Sequence, residues 1–307
     1  MSTKPFTLYW SSLETYEACP QKFLWGRGWP GIDLGAGLGK PKPVPAKRSE
    51  HDAYLGTVIA AVIERFYNDE LWKDPLSLKS RLEDITQKEF AFLQPRFHID
   101  WTISPSKEAL YNDCLNAIMG FLKTFKHNKL VGPYARSEVD MATYIDQYNP
   151  IGGRADIVIR RDDTGIMILD GKNSKSKGKY TNPDQLRWYA LCFYLCYGEY
   201  PSKLGFVYFR YPHGFVPEGS TEAETGIDWV PYVKEDLAGI AERAVESRRG
   251  MFKENFPAKP EPKTCRFCNY ETVCQERQAT KVQRNKSRNE LDTLIEESGG
   301  IVQLGFK

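Results

Sequence analysis

In the stretch "GGRADIVIRRDDTGIMILDGKNSKSKGKY", residues 152–180, Asp156 and Asp170 interrupt or end two apolar runs, and Lys172 follows Asp170 by two positions. Both runs have the composition of strands, and "RDDTG" between them reads as a turn. Adjacent antiparallel strands so joined bring the two acids together at one end of a sheet. By alternation Lys172 lies on the same side as Asp170. Neighbouring carboxylates repel and need a compensating cation. Magnesium or manganese, hard cations that prefer oxygen, would meet that need, with the Gly171 carbonyl as a further ligand. A cation held there lowers the pKa of bound water and stabilises charge on a phosphate. A lysine alongside orients or deprotonates that water, or stabilises the developing anion. The competing reading is three solvated charges at strand ends, since an Asp-x-Lys triplet is short and common.

A second group of reactive side chains lies in "CRFCNYETVC", where Cys265, Cys268 and Cys274 fall within ten residues. Three thiolates need a fourth ligand to close a tetrahedral site or to hold a cubane cluster. Cys114, Cys192 and Cys196 lie in apolar helical patterns that suit buried structural thiols. Cys19, in "YEACPQKF", sits at a helix end before Pro20, where a ligand can project. Spacing alone leaves zinc and iron–sulfur equally open.

The elements around these residues set the fold. The chain has 307 residues, a hydrophobic content of 41%, a charged content of 27% and a net charge of +2. That describes an ordinary globular protein, with one large domain or a domain carrying an insertion. So small a net charge draws no polyanion globally, so affinity for nucleic acid has to come from local patches. The apolar run "WYALCFYLCYG" is too short to span a bilayer, and "MSTKPFTLYW" lacks a signal-peptide core. A cytoplasmic protein with no membrane contact is the resulting expectation. Residues 7–25 read as a helix capped by Ser11 or Ser12, and 26–50 as a Gly/Pro/Lys-rich loop. "GAGLGKPKP" in that loop has the wrong spacing for a phosphate loop, and Pro41 replaces its Ser or Thr. Residues 52–130 read as helices. Four strands follow, in "YARSEVDMATYI", "GGRADIVIRR", "GIMILDGKN" and "KLGFVYFRYP", with the helix "NPDQLRWYALCFYLCYG" between the third and fourth. Residues 232–256 read as another helix. The order predicts an α/β core with a mixed sheet. Boundaries are expected at 1–50 (N-terminal helix and loop), 51–135 (helical region), 136–256 (core), 257–280 (cysteine cluster) and 281–307 (charged tail).

Other side chains join the acids. Glu138 begins the preceding strand and can point to the same centre. Gln185 and Tyr189, four apart, share a helix face. Lys175, Lys177 and Lys179, in a loop without acids, suit phosphate contact; a solvated flexible loop is the plainer alternative. Together "GGRADIVI", "ILDGK" and "QLRWYAL" resemble the motifs of the RecB-like PD-(D/E)XK nucleases, and the resemblance covers most of the chain. It implies a restriction-endonuclease-like α/β core with a helical insertion. By carry-over, Asp156 and Asp170 are the metal ligands, Lys172 the catalytic lysine, and Gln185 and Tyr189 the family's Q-x-x-x-Y. Glu138 matches the upstream glutamate, and Lys175, Lys177, Lys179 and Arg187 are the expected DNA contacts. One position departs from the pattern. "GTVIAAVIE" fits the helix that usually carries a histidine, but Ala60 stands in its place. Glu64, one turn on, is a substitute ligand, whereas His51 lies outside the pattern.

The cysteines resemble the iron–sulfur clasp of AddB-type and CRISPR-associated nucleases of this kind, in which one N-terminal and three C-terminal cysteines bind a 4Fe–4S cluster. That resemblance implies Cys19, Cys265, Cys268 and Cys274 as ligands, with zinc the alternative. The function implied is a Mg- or Mn-dependent deoxyribonuclease, an exonuclease on single strands or DNA ends, in recombination, repair or phage DNA processing. A helicase, recombinase or integrase partner is left open. The alternative is a non-catalytic DNA-binding or scaffold protein that keeps the fold.

Overall fold

The change from helical to alternating periodicity after residue 130 is realised as a sheet behind a layer of helices. A computed structural model describes residues 6–29, 50–103, 105–178, 181–210, 226–266, 268–271 and 273–279. Its elements run β1 (Leu8–Tyr9), α1 (Trp10–Ala18), α2 (Pro20–Arg27), α3 (His51–Asn68), α4 (Leu78–Leu93) and α5 (Lys107–Asn128). Then come β2 (Tyr134–Tyr144), β3 (Pro150–Arg161), β4 (Gly165–Lys172), α6 (Pro183–Tyr197), β5 (Lys203–Tyr208), β6 (Ile227–Val230), α7 (Asp236–Phe252) and α8 (Pro262–Cys265). The phosphate-loop look-alike, Lys179 and the charged tail lie outside the described residues.

The chain forms two compact units. One comprises Lys4–Trp10 and Arg48–Glu246; the other comprises Met1–Thr3, Ser11–Lys47 and Ser247–Lys307. In the larger unit the sheet is mixed, as its element order predicts. β3 is antiparallel to β2 and β4, β1 runs parallel to β3, β4 runs parallel to β5, and β6 is antiparallel to β5. β1 and β6 are additions to the expected strands. They span two and four residues, too few to show a period. The sheet buries Ile157, Ile159, Met167 and Leu169 in one core with Tyr54, Val58, Phe66, Phe121 and other residues of α3–α5. Each such side chain removed from water contributes roughly 1.5–3 kcal/mol. Ser106 caps α5, its Oγ accepting from Ala109 N at 3.2 Å.

Two local readings are corrected. Ser11 and Ser12 lie inside α1 rather than capping it, because Leu8 is drawn into pairing with Ile151 and the helix begins at once with buried Trp10. The 232–256 helix is shorter, Asp236–Phe252, with Val233 N donating to Asp236 Oδ2 at 3.1 Å ahead of it. Cys19 does sit at a helix break. It is extended, with φ −163°, between α1 and α2, and Pro20 opens α2, where its missing N–H costs nothing.

Candidate active site

The β3–β4 hairpin brings the two acids together. Ile157 pairs with Leu169 as the last recorded pair of that ladder, so Asp156 and Asp170 face each other where it ends. Gly171 N donates to Asp156 Oδ2 at 2.7 Å. A Cβ at Gly171 would lie 2.3 Å from Phe209 Cζ, so only glycine lets the backbone come so close to both the ring and the carboxylate.

Helix α6 delivers the rest. Asn182 caps it, accepting from Asp184 N at 3.2 Å, and Pro183 occupies its first turn. Gln185 Nε2 donates to Asp170 Oδ1 at 2.8 Å and to the Tyr189 hydroxyl oxygen at 3.1 Å, while Gln185 Oε1 accepts from Lys172 Nζ at 3.0 Å. One amide therefore uses both its donors and its acceptor to join Asp170, Lys172 and Tyr189. The four-residue spacing of Gln185 and Tyr189 places both on the same face. α6 lies close to β3 because position 153 is glycine: a Cβ there would sit 3.1 Å from Tyr189 Cδ1. Trp188 Nε1 donates to Gly152 O at 2.9 Å and fixes the helix's rotation.

The electrostatics follow from burial. Asp170 is 2% exposed. Its carboxyl is pushed up by burial, a shift that Lys172, with Nζ 2.5 Å from Oδ2, opposes. That Oδ2 has the ion pair but no hydrogen-bond donor aligned on it. Asp156 opens partly to a cleft, yet its carboxyl is held well above the ordinary range, first by desolvation and then by Asp170; the Gly171 N–H pulls the other way. Glu138 is raised by burial and by Glu64, against the pull of Arg154. Three carboxyls with raised affinity for protons, one with an oxygen lacking an aligned donor, suit a hard divalent cation.

The cleft, of about 190 Å³, is lined by Ala60, Glu138, Asp156, Gly171 and Asn173 among others. The structure therefore brings together Asp156, Asp170, Gly171, Lys172, Gln185, Tyr189 and Glu138. Glu64 is half-buried on α3 and felt by Glu138, but it does not line the cleft. His51 is buried against Trp101, ring centroids 5.4 Å apart. Sequence reasoning passed over Asn173 and Arg154. Asn173 lines the cleft and donates to Asp52 O at 3.0 Å. Arg154 lies 3.6 Å from Glu138 and 2.7 Å from Asp140. Strand alternation signalled Arg154, two residues before Asp156, whereas nothing local marked Asn173. Of the expected DNA contacts, Lys175 is exposed and Lys177 half-buried. Arg187 is engaged with Asp184 at 2.8 Å, Asp236 at 3.3 Å and Pro231 O at 3.2 Å.

In the smaller unit, Cys19, Cys265, Cys268 and Cys274 line one cavity together with Gln21, Lys259 and Arg277. Lys259 N lies 3.5 Å from Cys19 Sγ, and Cys274 Sγ lies 3.8 Å from Gln21 Oε1. Burial pushes the Cys265 and Cys268 thiols up, each further raised by the neighbouring thiols; Arg277 opposes the rise at Cys265. Among the described residues, no group of three or more His, Cys, Asp or Glu side chains is placed to hold a metal ion, neither these cysteines nor Asp156, Asp170 and Glu138. Cys114 and Cys192 are fully buried, as their apolar helices predict. Cys196 is a correction: near the end of α6 it is only half-buried, its Sγ 3.8 Å from Ala142 O. No described helix is long and apolar enough to cross a membrane.

A family model described as the PD-(D/E)XK nuclease superfamily matches residues 9–275. Among solved structures, one similar chain is "Crystal structure of SSO0001", 18% identical, with a TM-score of 0.31, covering 73% of this chain and 85% of that one. No curated protein matches the chain.

Proposed function

Because this chain belongs to the PD-(D/E)XK nuclease superfamily, we propose that it is a metal-dependent deoxyribonuclease, an exonuclease on single strands or DNA ends. The observation that carries the reading is the Gln185 amide, which ties Asp170, Lys172 and Tyr189 into one network beside Asp156. Asp156 and Asp170, with the Gly171 carbonyl and Glu138, would hold magnesium or manganese. Such an ion supplies Lewis acidity, making a bound water more acidic and neutralising charge on the phosphate. Lys172 donates to Gln185 and is ion-paired with Asp170, and its ammonium would orient the attacking water or meet the developing phosphorane charge. Gln185 and Tyr189 are positioning residues: they fix the Lys172 ammonium and Asp170 without touching the reacting atoms. Lys175, Lys177 and Lys179 suit the DNA backbone, a contact that weakens as salt rises. The exonuclease mode, and a role in recombination, repair or phage DNA processing, rest on the resemblance to iron–sulfur relatives. So does a 4Fe–4S cluster on Cys19, Cys265, Cys268 and Cys274, for which the shared cavity is the structural support and zinc the alternative.

Lys172→Ala is expected to lower hydrolysis of end-labelled DNA by roughly 10²–10³-fold with either metal, and EDTA should remove it. Activity that survives the substitution would sink the assignment of Lys172. Cleavage of closed circles would defeat the exonuclease mode. A second reading, DNA binding without efficient chemistry, is favoured by Ala60, which lines the cleft where the family usually places histidine. Ala60→His should add an imidazole beside Glu138 and Asp156 and raise turnover at limiting Mn²⁺ severalfold. Unchanged or lower turnover at every Mn²⁺ concentration would show that the cleft works without a ligand from this position.

A further inference from the structure

Glu138 does not begin its strand, as the sequence suggested, but stands in the middle of β2 with φ +54°, a left-handed conformation that a residue with a Cβ avoids unless its surroundings impose it. On either side β2 and β3 pair normally, Ser137 with Ile157 and Val139 with Ala155, yet Glu138 and Asp156 form no ladder pair. Two side chains act beside this gap. Ser137 Oγ donates to the Asp156 carbonyl. Asn68, the last residue of α3, brackets the Ser137 backbone: Ser137 N donates to Asn68 Oδ1 at 3.1 Å and Asn68 Nδ2 donates to Ser137 O at 3.4 Å. The amide so behaves as a one-residue strand laid on the outer side of β2. Three hydrogen bonds thus immobilise the residue just before the left-handed turn and leave Glu138 lining the cleft with Asp156.

We propose that Asn68 and Ser137 are a positioning pair whose work is to impose the left-handed turn at Glu138 and so set the cleft's affinity for a divalent cation. This rests on the reading of Asp156, Asp170 and Glu138 as metal ligands. Asn68 does not line the cleft, whereas Ser137 does. The Asn68 effect passes through the Glu138 carboxylate, which makes it separable from general stability, whereas Ser137 also holds the Asp156 backbone.

The test is calorimetric titration of Mn²⁺ into the full chain without DNA. Asn68→Ala and Ser137→Ala should each weaken Mn²⁺ binding about tenfold, the usual size of an effect on a partner that orients a ligand. Ser137→Thr, which keeps the hydroxyl, should bind like wild type. In a Glu138→Gln background, Asn68→Ala should cause no further loss, because the carboxylate it orients is already gone. Equal losses in both backgrounds, or no loss in either, would overturn the proposal. Asp156→Asn is the reference: if it leaves Mn²⁺ binding intact, the metal-site reading itself fails, whereas its failure to bind beside an unaffected Asn68→Ala defeats the positioning pair alone.

Discussion

Asp156→Asn is expected to lower DNA hydrolysis roughly 10³-fold or more while making the metal-free protein more stable. The two effects have opposite signs for one physical reason. The Asp156 carboxylate is desolvated and faces Asp170, and the single Gly171 N–H does not offset both. Its folded-state pKa is raised, so the folded state binds this proton more tightly than the unfolded chain does. Stability of the metal-free protein should therefore fall as pH rises from the ordinary carboxylate range through the raised value. Above that value the whole penalty is present. Asparagine keeps an oxygen for Gly171 N–H and removes the charge, so the variant should lose this part of the pH slope and melt higher than wild type in EDTA. Magnesium should raise the wild-type Tm and close the gap, and more so at pH 8 than at pH 5. Thermal melts of both proteins across that range, with and without metal, decide it. A wild type more stable than Asp156→Asn in EDTA at pH 8 would mean the two carboxyls are not in conflict and have no need of a cation.

If the four cysteines hold the proposed cluster, Cys19→Ser is expected to strip it from the smaller unit and to cost roughly 5 kcal/mol or more of that unit's stability, because the binding energy of a structural metal is folding energy. The four thiols come from two of the unit's segments that lie far apart in sequence, Ser11–Lys47 and Ser247–Lys307. Aromatic packing holds the same segments together: Phe23 stacks on Phe256 at 6.3 Å, Tyr16 meets both edge-on, and Tyr16 OH donates to Asn255 O at 2.8 Å. On that reading the loss of a ligand should show as protease cutting near residues 257–279 and as loss of bound iron by elemental analysis. On the same reading thiolates would be the ligands, and since burial raises the Cys265 and Cys268 thiols, metal affinity should also rise with pH. Cys114→Ala is the control. Cys114 is fully buried in the helical core, so it should cost about 2 kcal/mol and leave metal content unchanged. Full metal content in Cys19→Ser would remove Cys19 from the ligand set, and zinc in place of iron in the wild type would change the identity of the group but not its ligands.

The mixed sheet and the meeting of Asp156, Asp170 and Lys172 were legible because they follow from local rules. Alternation decides which side a residue takes, a short turn forces antiparallel pairing, and a spacing of four puts Gln185 and Tyr189 on one helix face. Cys19 at a helix break was legible for a similar reason, since Pro20 cannot continue the helix before it. β1 and β6 were not, because strands so short carry no period and form only where a neighbouring strand offers its edge. The half-burial of Cys196 escaped for a related reason. An apolar helix announces that it is buried, but how deep its last turn goes is set by what packs against it.

What the sequence determined by itself is the set of acids, with Lys172, Gln185 and Tyr189, that meet at one place, and the three strands and one helix that carry them. Tertiary structure decided how those side chains are engaged. It spent Arg187 on Asp184 and Asp236, set Ala60 in the wall of the cleft, and kept Glu64 outside it. It also turned Glu138 through a left-handed conformation held by Asn68, a residue 70 positions earlier that no local pattern connects to it. The physical reason is the same in each case. Periodicity fixes direction within an element, but the partner of a charge or an unpaired backbone group is whichever group the packing of distant elements brings within 3 Å or so.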